Sequence, residues 1–293
     1  VSTPAQPLDV GLHHGVPAAV YHADPCPTPS LSSGVARTIL ARSLKHAWLE
    51  HSRLGGEKPD ATAAMDLGGL VHAQLSGEED TFQIGQFDDF KTKDARAWRD
   101  AVRLGGKTPV LEKVVLQAEP IAKAVREKAA VGITMNPFNA GAPEVTAIWK
   151  EGEAYCRARY DRLVLDPGGY ADIWDWKTTE SVAPDKIVRK IIDQGYHLQA
   201  AHYVRGLRAL LPEYAGRMSF IFVFVETEAP YAVRRVVLSD GWLSMAGTEI
   251  HRAIGEWTNA MATNVWPEGN AETMTAQPPG WFTAKYTDAF LND

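Results

Sequence analysis

The chain has 293 residues, 45% of them hydrophobic and 23% charged, which is ordinary for a globular protein and allows one elaborated domain or a core with a helical insertion. A formal charge of -6 weighs mildly against a nucleic-acid partner, although a local groove can be cationic while acids at a metal site lower the total. The two cysteines, Cys26 and Cys156, exclude a disulfide framework and a clustered-cysteine zinc site. No apolar run approaches the ~20 residues of a membrane helix, and the first ten residues lack the order of a signal peptide, so a cytoplasmic protein without a membrane partner is expected.

Residues 1–29 are rich in Pro, His and small residues and read as an extended lead-in with little regular structure. Ser30 then precedes apolar residues at helical spacing up to about Leu49, which predicts a capped helix. A second helix is predicted over 61–75. Two adjacent glycines there, Gly68 and Gly69, cost on the order of 1 kcal/mol each against alanine, so a close approach to the backbone is expected. His72 lies one turn beyond Gly68.

Residues 77–109 read as polar and irregular. Their cations beside aromatics, at Phe90-Lys91-Thr92-Lys93 and Arg96-Ala97-Trp98-Arg99, suit either a DNA contact or a surface excursion. An amphipathic helix follows over 112–131, and strands start near Pro143-Glu144.

Two extended runs, ending in Tyr160-Asp161-Arg162 and spanning Asp172 to Thr179, flank a turn at Asp166-Pro167-Gly168-Gly169 and predict a hairpin. Alternation puts Ile173, Asp175 and Lys177 on one face and Asp172, Trp174 and Trp176 on the other. If Asp161 pairs onto the first face, two carboxylates and an ammonium converge. Phosphodiester cleavage builds charge on the attacking water and the departing oxygen. Hard divalent cations held by carboxylates offset that charge, and a lysine orients or activates the water. A lone Asp-x-Lys is also what an exposed hairpin carries.

Arg157 and Arg159 share the strand face of Asp161, as charge balance or as phosphate contacts. A broken helix over 185–211 opens with Lys186, Arg189 and Lys190, a candidate phosphate-binding cluster, and later sets Gln199 and Tyr203 on one face. The apolar run 219–226 predicts a covered central strand, 231–238 its hairpin partner, and 242–261 a closing helix. Residues 266–293 read as a loosely packed tail.

In order along the chain, Gly68-Gly69-Leu70-Val71-His72, Glu144, Asp161, Asp175-Trp176-Lys177 and Gln199-Ala200-Ala201-His202-Tyr203 resemble the PD-(D/E)XK nuclease superfamily, in particular its exonuclease VIII (RecE-like) phage branch, related to lambda exonuclease and RecB-type domains. Tyr160 stands where the superfamily name has proline, and Asp175 is the shorter of its two acids. The resemblance implies an α/β fold, with a central mixed sheet flanked by helices in a restriction-endonuclease-like core and a helical N-terminal portion. It implies a single nuclease domain over 30–265, helical over 30–131 and with its sheet core over 140–265.

The resemblance further implies an Mg2+-dependent (or Mn2+-dependent) deoxyribonuclease acting 5′ to 3′ on double-stranded DNA with a free end and leaving 3′ single strands for recombination. Asp161, Asp175, His72 and the Trp176 carbonyl would hold metal. Glu144 would assist, Lys177 would act on water, and Gln199 and Tyr203 would support the hairpin. A homo-oligomeric ring and a single-strand annealing partner are implied as well. The iron-sulfur cluster of some RecB-like relatives needs four cysteines and is not expected. A RecB-like or structure-specific endonuclease, or a non-catalytic DNA-binding or assembly module, stays open.

Overall fold

Residues 142–237 supply the strands that organise the chain, and the computed structural model describes residues 6–56, 63–269, 273, 275–280 and 282–284. Along the chain come β1 (Gly11–His13), α1 (Ala18–His22), β2 (Leu31–Ser32), α2 (Ser33–Ala41), α3 (Leu44–Glu50), α4 (Ala63–Ser76), β3 (Phe82–Gly85), α5 (Lys93–Leu104), β4 (Thr108–Leu111), α6 (Glu112–Lys128) and α7 (Pro137–Ala140). Then follow β5 (Ala142–Glu151), β6 (Ala154–Leu165), β7 (Ala171–Thr179), α8 (Pro184–Asp193), α9 (Tyr196–Leu210), β8 (Met218–Glu226), β9 (Val233–Val237) and α10 (Asp240–Thr263).

The main sheet runs β1-β5-β6-β7-β8-β9, with β2 also beside β6. The β7–β8 and β2–β6 pairs are parallel and the others antiparallel, which is the expected mixed α/β sheet. Both faces of β8 are covered. Phe220, Phe222 and Phe224 enter a core completed by residues of α2, α9 and α10, while Ile221, Val223 and Val225 enter a second core with α4 and α6. That is why its sequence is almost continuously apolar. The β6–β7 hairpin turns at Asp166–Gly169, where the Gly169 N–H donates to the Asp166 carbonyl at 2.8 Å.

Three expectations change. Residues 11–13 of the supposed lead-in form an edge strand on β5, and Asp24 is buried with both its oxygens bonded to Ser30. Ser30 caps no helix; Ser32 does, accepting from the Val35 N–H at 3.3 Å, and the helix breaks at Arg42-Ser43 into α2 and α3. Residues 82–111 are ordered as two short parallel strands joined through α5. Short strands paired across a helix leave little local signal in a polar sequence.

Residues 61 and 62 of the predicted second helix lie outside the described residues. The tail begins docked: Trp266 meets Trp257 edge-on at 5.5 Å, and the Lys45 N–H donates to the Pro267 carbonyl at 2.9 Å.

Candidate active site

β6 and β7 part company where the acids stand. Their ladder ends at Arg162 opposite Trp174, while β7 stays paired with β8 as far as Thr179. Beyond that point the Trp176 N–H donates to Asp161 Oδ2 at 2.8 Å, so a carboxylate replaces the missing strand partner. A gap opens between the strands, and α4 and α9 reach into it.

From α4, His72 sets Nε2 at 2.9 Å from Asp161 Oδ1 and Nδ1 at 3.3 Å from Glu144 Oε1. Glu144 sits on β5 between Pro143 and Val145, which pair with Arg162 and Tyr160, so it lies opposite Asp161. Its φ of 51° is left-handed, a conformation costing a non-glycine residue about 1–3 kcal/mol and kept only where its surroundings impose it. Arg159 helps impose it: Nη1 lies 2.6 Å from Glu144 Oε2, and Nη2 lies 2.7 Å from Glu78 Oε1.

From α9, Gln199 Nε2 donates to Asp175 Oδ2 at 2.6 Å, and Tyr203 packs edge-on against Tyr160 at 5.4 Å. Lys177 pairs with Asp175 Oδ1 and holds its ammonium 4.9 Å from the centre of the Tyr196 ring. Asp172, facing the other side of β7 by alternation, lies opposite Ser219 on β8 and takes no part.

The electrostatics are those of crowded acids. Burial pushes Asp175 up to about 6, with the Asp161 charge adding to it and Lys177 opposing. Burial likewise brings Glu144 to about 7. Burial alone would lower His72, but Asp161, Glu144 and Asp175 together raise it to about 9, so the imidazole is charged at neutral pH. Against its own burial, Asp161 is held below the usual carboxylate range by His72, Lys177 and the Trp176 N–H. Lys177 is raised because Asp175 and Asp161 outweigh its burial, and it stays an ammonium.

The donor set fits a hard divalent cation. Both Glu144 oxygens and Asp175 Oδ1 are buried and, among the described residues, are met only by the charged groups of His72, Arg159 and Lys177, so lone pairs remain for a cation. Among the described residues no group of three His, Cys, Asp or Glu side chains stands in ligating geometry, and His72 lies between Asp161 and Glu144. His72 thus contacts two acids at the place where the resemblance puts a metal ligand.

Other expectations fare unevenly. Arg157 is buried away from the gap, 3.2 Å from Asp24 Oδ1 and bonded to Ser30, so it meets no phosphate. Arg159 is committed to two carboxylates. Lys186 and Arg189 are exposed on α8, and Lys190 Nζ donates to the Thr178 carbonyl at 2.8 Å, at the end of the catalytic strand. The Trp176 contact to the site is through its N–H rather than its carbonyl. Neither glycine of α4 is forced by crowding: a Cβ on Gly68 would meet Thr178 Oγ1 at an ordinary 3.4 Å, and Gly69 is exposed. Tyr196 and Glu78 carried no sequence signal, since each acts through a contact distant in the chain.

A family profile for a PDDEXK-like domain of unknown function (DUF3799) matches residues 40–277. The chain belongs to that family. It is thus a member of the PD-(D/E)XK superfamily, and its sheet and flanking helices form the restriction-endonuclease-like fold. Among solved structures it is similar to a protein of Eubacterium rectale described only provisionally as an exonuclease, with TM-score 0.61 and 14% identity over 93% of this chain and 98% of that one. It is also similar to a phage-related exonuclease of Haemophilus somnus 129PT, with TM-score 0.32 and 13% identity over 67% of this chain and 94% of that one. No curated protein matches the sequence. No helix among the described residues is long and apolar enough to cross a membrane.

Proposed function

We propose that this PDDEXK-like chain is a divalent-metal-dependent deoxyribonuclease, with double-stranded DNA carrying a free end as substrate. The observation that carries the reading is the convergence of Asp161, Asp175 and Lys177 in the gap between β6 and β7. Asp161 and Asp175 would hold the metal, with Glu144 and the Trp176 carbonyl available beside them. His72 would join them on losing its proton, since metal and proton compete for the same nitrogen. The bound cation, Mg2+ or Mn2+, supplies charge stabilisation at the phosphoryl oxygens and a water of lowered pKa.

The chain's own residues do the rest. The Lys177 ammonium, fixed between Asp175 and the Tyr196 ring, orients the attacking water and balances charge developing on the phosphate. Gln199 holds the Asp175 carboxylate in one orientation, and the Trp176 N–H does the same for Asp161. Lys186 and Arg189 on α8, beside Lys190, stand ready for the flanking phosphates.

Exonucleolytic action from 5′ to 3′, 3′ single strands for recombination, a homo-oligomeric ring and an annealing-protein partner rest on the resemblance to the exonuclease VIII branch. Digestion of end-labelled linear duplex and closed circular DNA, with Mg2+ or with EDTA, tests the reading. Linear duplex should shorten only with metal while circles persist. Cutting of circles would make the protein an endonuclease. Absence of any metal-dependent cleavage that Lys177→Ala abolishes would leave a non-catalytic module.

A further inference from the structure

Residues 82–111 form a lobe apart from the main sheet, β3 and β4 pairing in parallel with α5 crossing between them. Its base is fastened to the candidate site. A Cβ on Gly69, about one helical turn before His72, would lie 4.0 Å from the Phe82 ring. Glu78, just ahead of β3, pairs with the Arg159 that also holds Glu144.

The charge of this region runs against that of the chain. Residues 82–111 carry six of the 30 Lys and Arg and four of the 36 Asp and Glu, in a protein of net charge -6. Two of the six are committed within the lobe, Lys91 to Asp89 and Arg99 to Asp100. The other four, Lys93, Arg96, Arg103 and Lys107, are exposed and have no acidic partner among the described residues. Arg96 and Arg103 lie two turns apart on one side of α5, with Lys93 a turn earlier and Lys107 just past the helix end.

The aromatic residues beside them are already used. Phe87 and Phe90 pack on Trp98 with ring centres at 5.6 and 6.3 Å, and Gly85 lacks a Cβ where one would come within 2.6 Å of the Trp98 ring. These rings are half-buried and packed on one another while the four cations are exposed, so charge is the more accessible means of contact. Exposed cations beside rings that pack on one another suit a duplex phosphate backbone better than a single strand.

We propose that Lys93, Arg96, Arg103 and Lys107 form a grip for the phosphate backbone of double-stranded DNA, outside the cleavage centre and indifferent to sequence. The choice of DNA rests on the nuclease reading above.

The test is fluorescence anisotropy of an end-labelled duplex with the full chain in EDTA, titrated with salt, so that binding is read without cleavage. The arm variant carries Lys93→Gln, Arg96→Gln, Arg103→Gln and Lys107→Gln. Its control removes four exposed cations elsewhere, at Lys123, Lys150, Arg208 and Arg252. The arm variant should bind at least tenfold more weakly at low salt, and its slope of log K against log salt should be shallower by about 0.9 for each cation that meets a phosphate. The control should stay near wild type, and both should keep the wild-type thermal midpoint.

An arm variant with unaltered affinity and slope, or a control that loses as much, overturns the grip. A loss seen on a single strand of equal length but not on duplex overturns the assignment to duplex. Wild type that binds through the arm yet never cuts removes the nuclease and keeps the grip. Wild type that cuts linear duplex while the arm variant binds unchanged does the reverse.

Discussion

Gln199 Nε2 donates to Asp175 Oδ2 at 2.6 Å, leaving the other oxygen of that carboxylate to Lys177. Replacing Gln199 with Leu strips a donor from a buried carboxylate, a loss of about 1–3 kcal/mol. The rate of metal-dependent digestion should fall about fivefold to 140-fold, at about 1.4 kcal/mol per decade. Gln199→Glu, which adds a like charge, should be worse. Single-turnover kinetics on linear duplex measure both.

Lys177 lies 4.9 Å from the centre of the Tyr196 ring, and that ring in turn packs on Phe222 and Phe224. A cation over an aromatic face is worth about 0.5–2 kcal/mol. Tyr196→Leu should therefore lower kcat about threefold to thirtyfold with KM little changed, while Tyr196→Phe, which keeps the ring, should retain near wild-type kcat. Lys177→Ala should cost about 10²–10⁴-fold, the range for a group acting on the reacting water.

Metal-free protein should lose stability as pH rises from about 4 to 9. Asp175, raised to about 6, and Glu144, raised to about 7, keep protons in the folded state that the unfolded chain has already released above about pH 4. The contribution of His72, raised to about 9, is full below its unfolded value near 6.5 and is lost as pH climbs through 9. Asp161, held below its usual range, acts oppositely at more acid pH, and His202, lowered by burial to about 4, opposes the two acids between about pH 4 and 6.5 as one group against two. Thermal midpoints in EDTA should fall across this window, and Asp175→Asn should flatten the fall. Mg2+ should restore the midpoint most at the alkaline end.

Arg157 should matter for stability and not for DNA. It and His51 flank the buried Asp24, at 3.2 and 3.3 Å, and Ser30 bonds to both Asp24 and Arg157. Asp24 is lowered to about 2: burial would raise it, but His51, Arg157 and Ser30 outweigh that. Its stabilisation is thus present above about pH 4 and lost as pH falls through 2. Arg157→Ala should destabilise by about 3–5 kcal/mol, the range for a broken buried ion pair. Urea midpoints show this directly, while the salt slope of DNA binding should not move.

Local pattern carried far because the β6–β7 hairpin is a local object. Period-two alternation separates Asp175 and Lys177 from Asp172, a glycine-proline turn joins β6 to β7, and a run from Ser219 to Glu226 announces a covered strand. The same alternation correctly puts Arg157 and Arg159 on one strand face. It has no means of saying that residues 24–30 come back to cover Arg157, or that Glu78 and Glu144 neutralise Arg159. The edge strand β1 and the parallel β3–β4 pair escaped for the same reason, since each depends on a partner far along the chain.

The sequence by itself determined the strands and helices around the hairpin, its acids and lysine, and family membership, because these depend on residue type and spacing. The tertiary structure alone decided that β6 and β7 separate at Asp161, that Glu144 turns left-handed to meet His72, and that Tyr196 supports Lys177. Those outcomes follow from how distant segments share space and charge, and burial among neighbouring carboxylates, unlike spacing, exists only once the chain has folded.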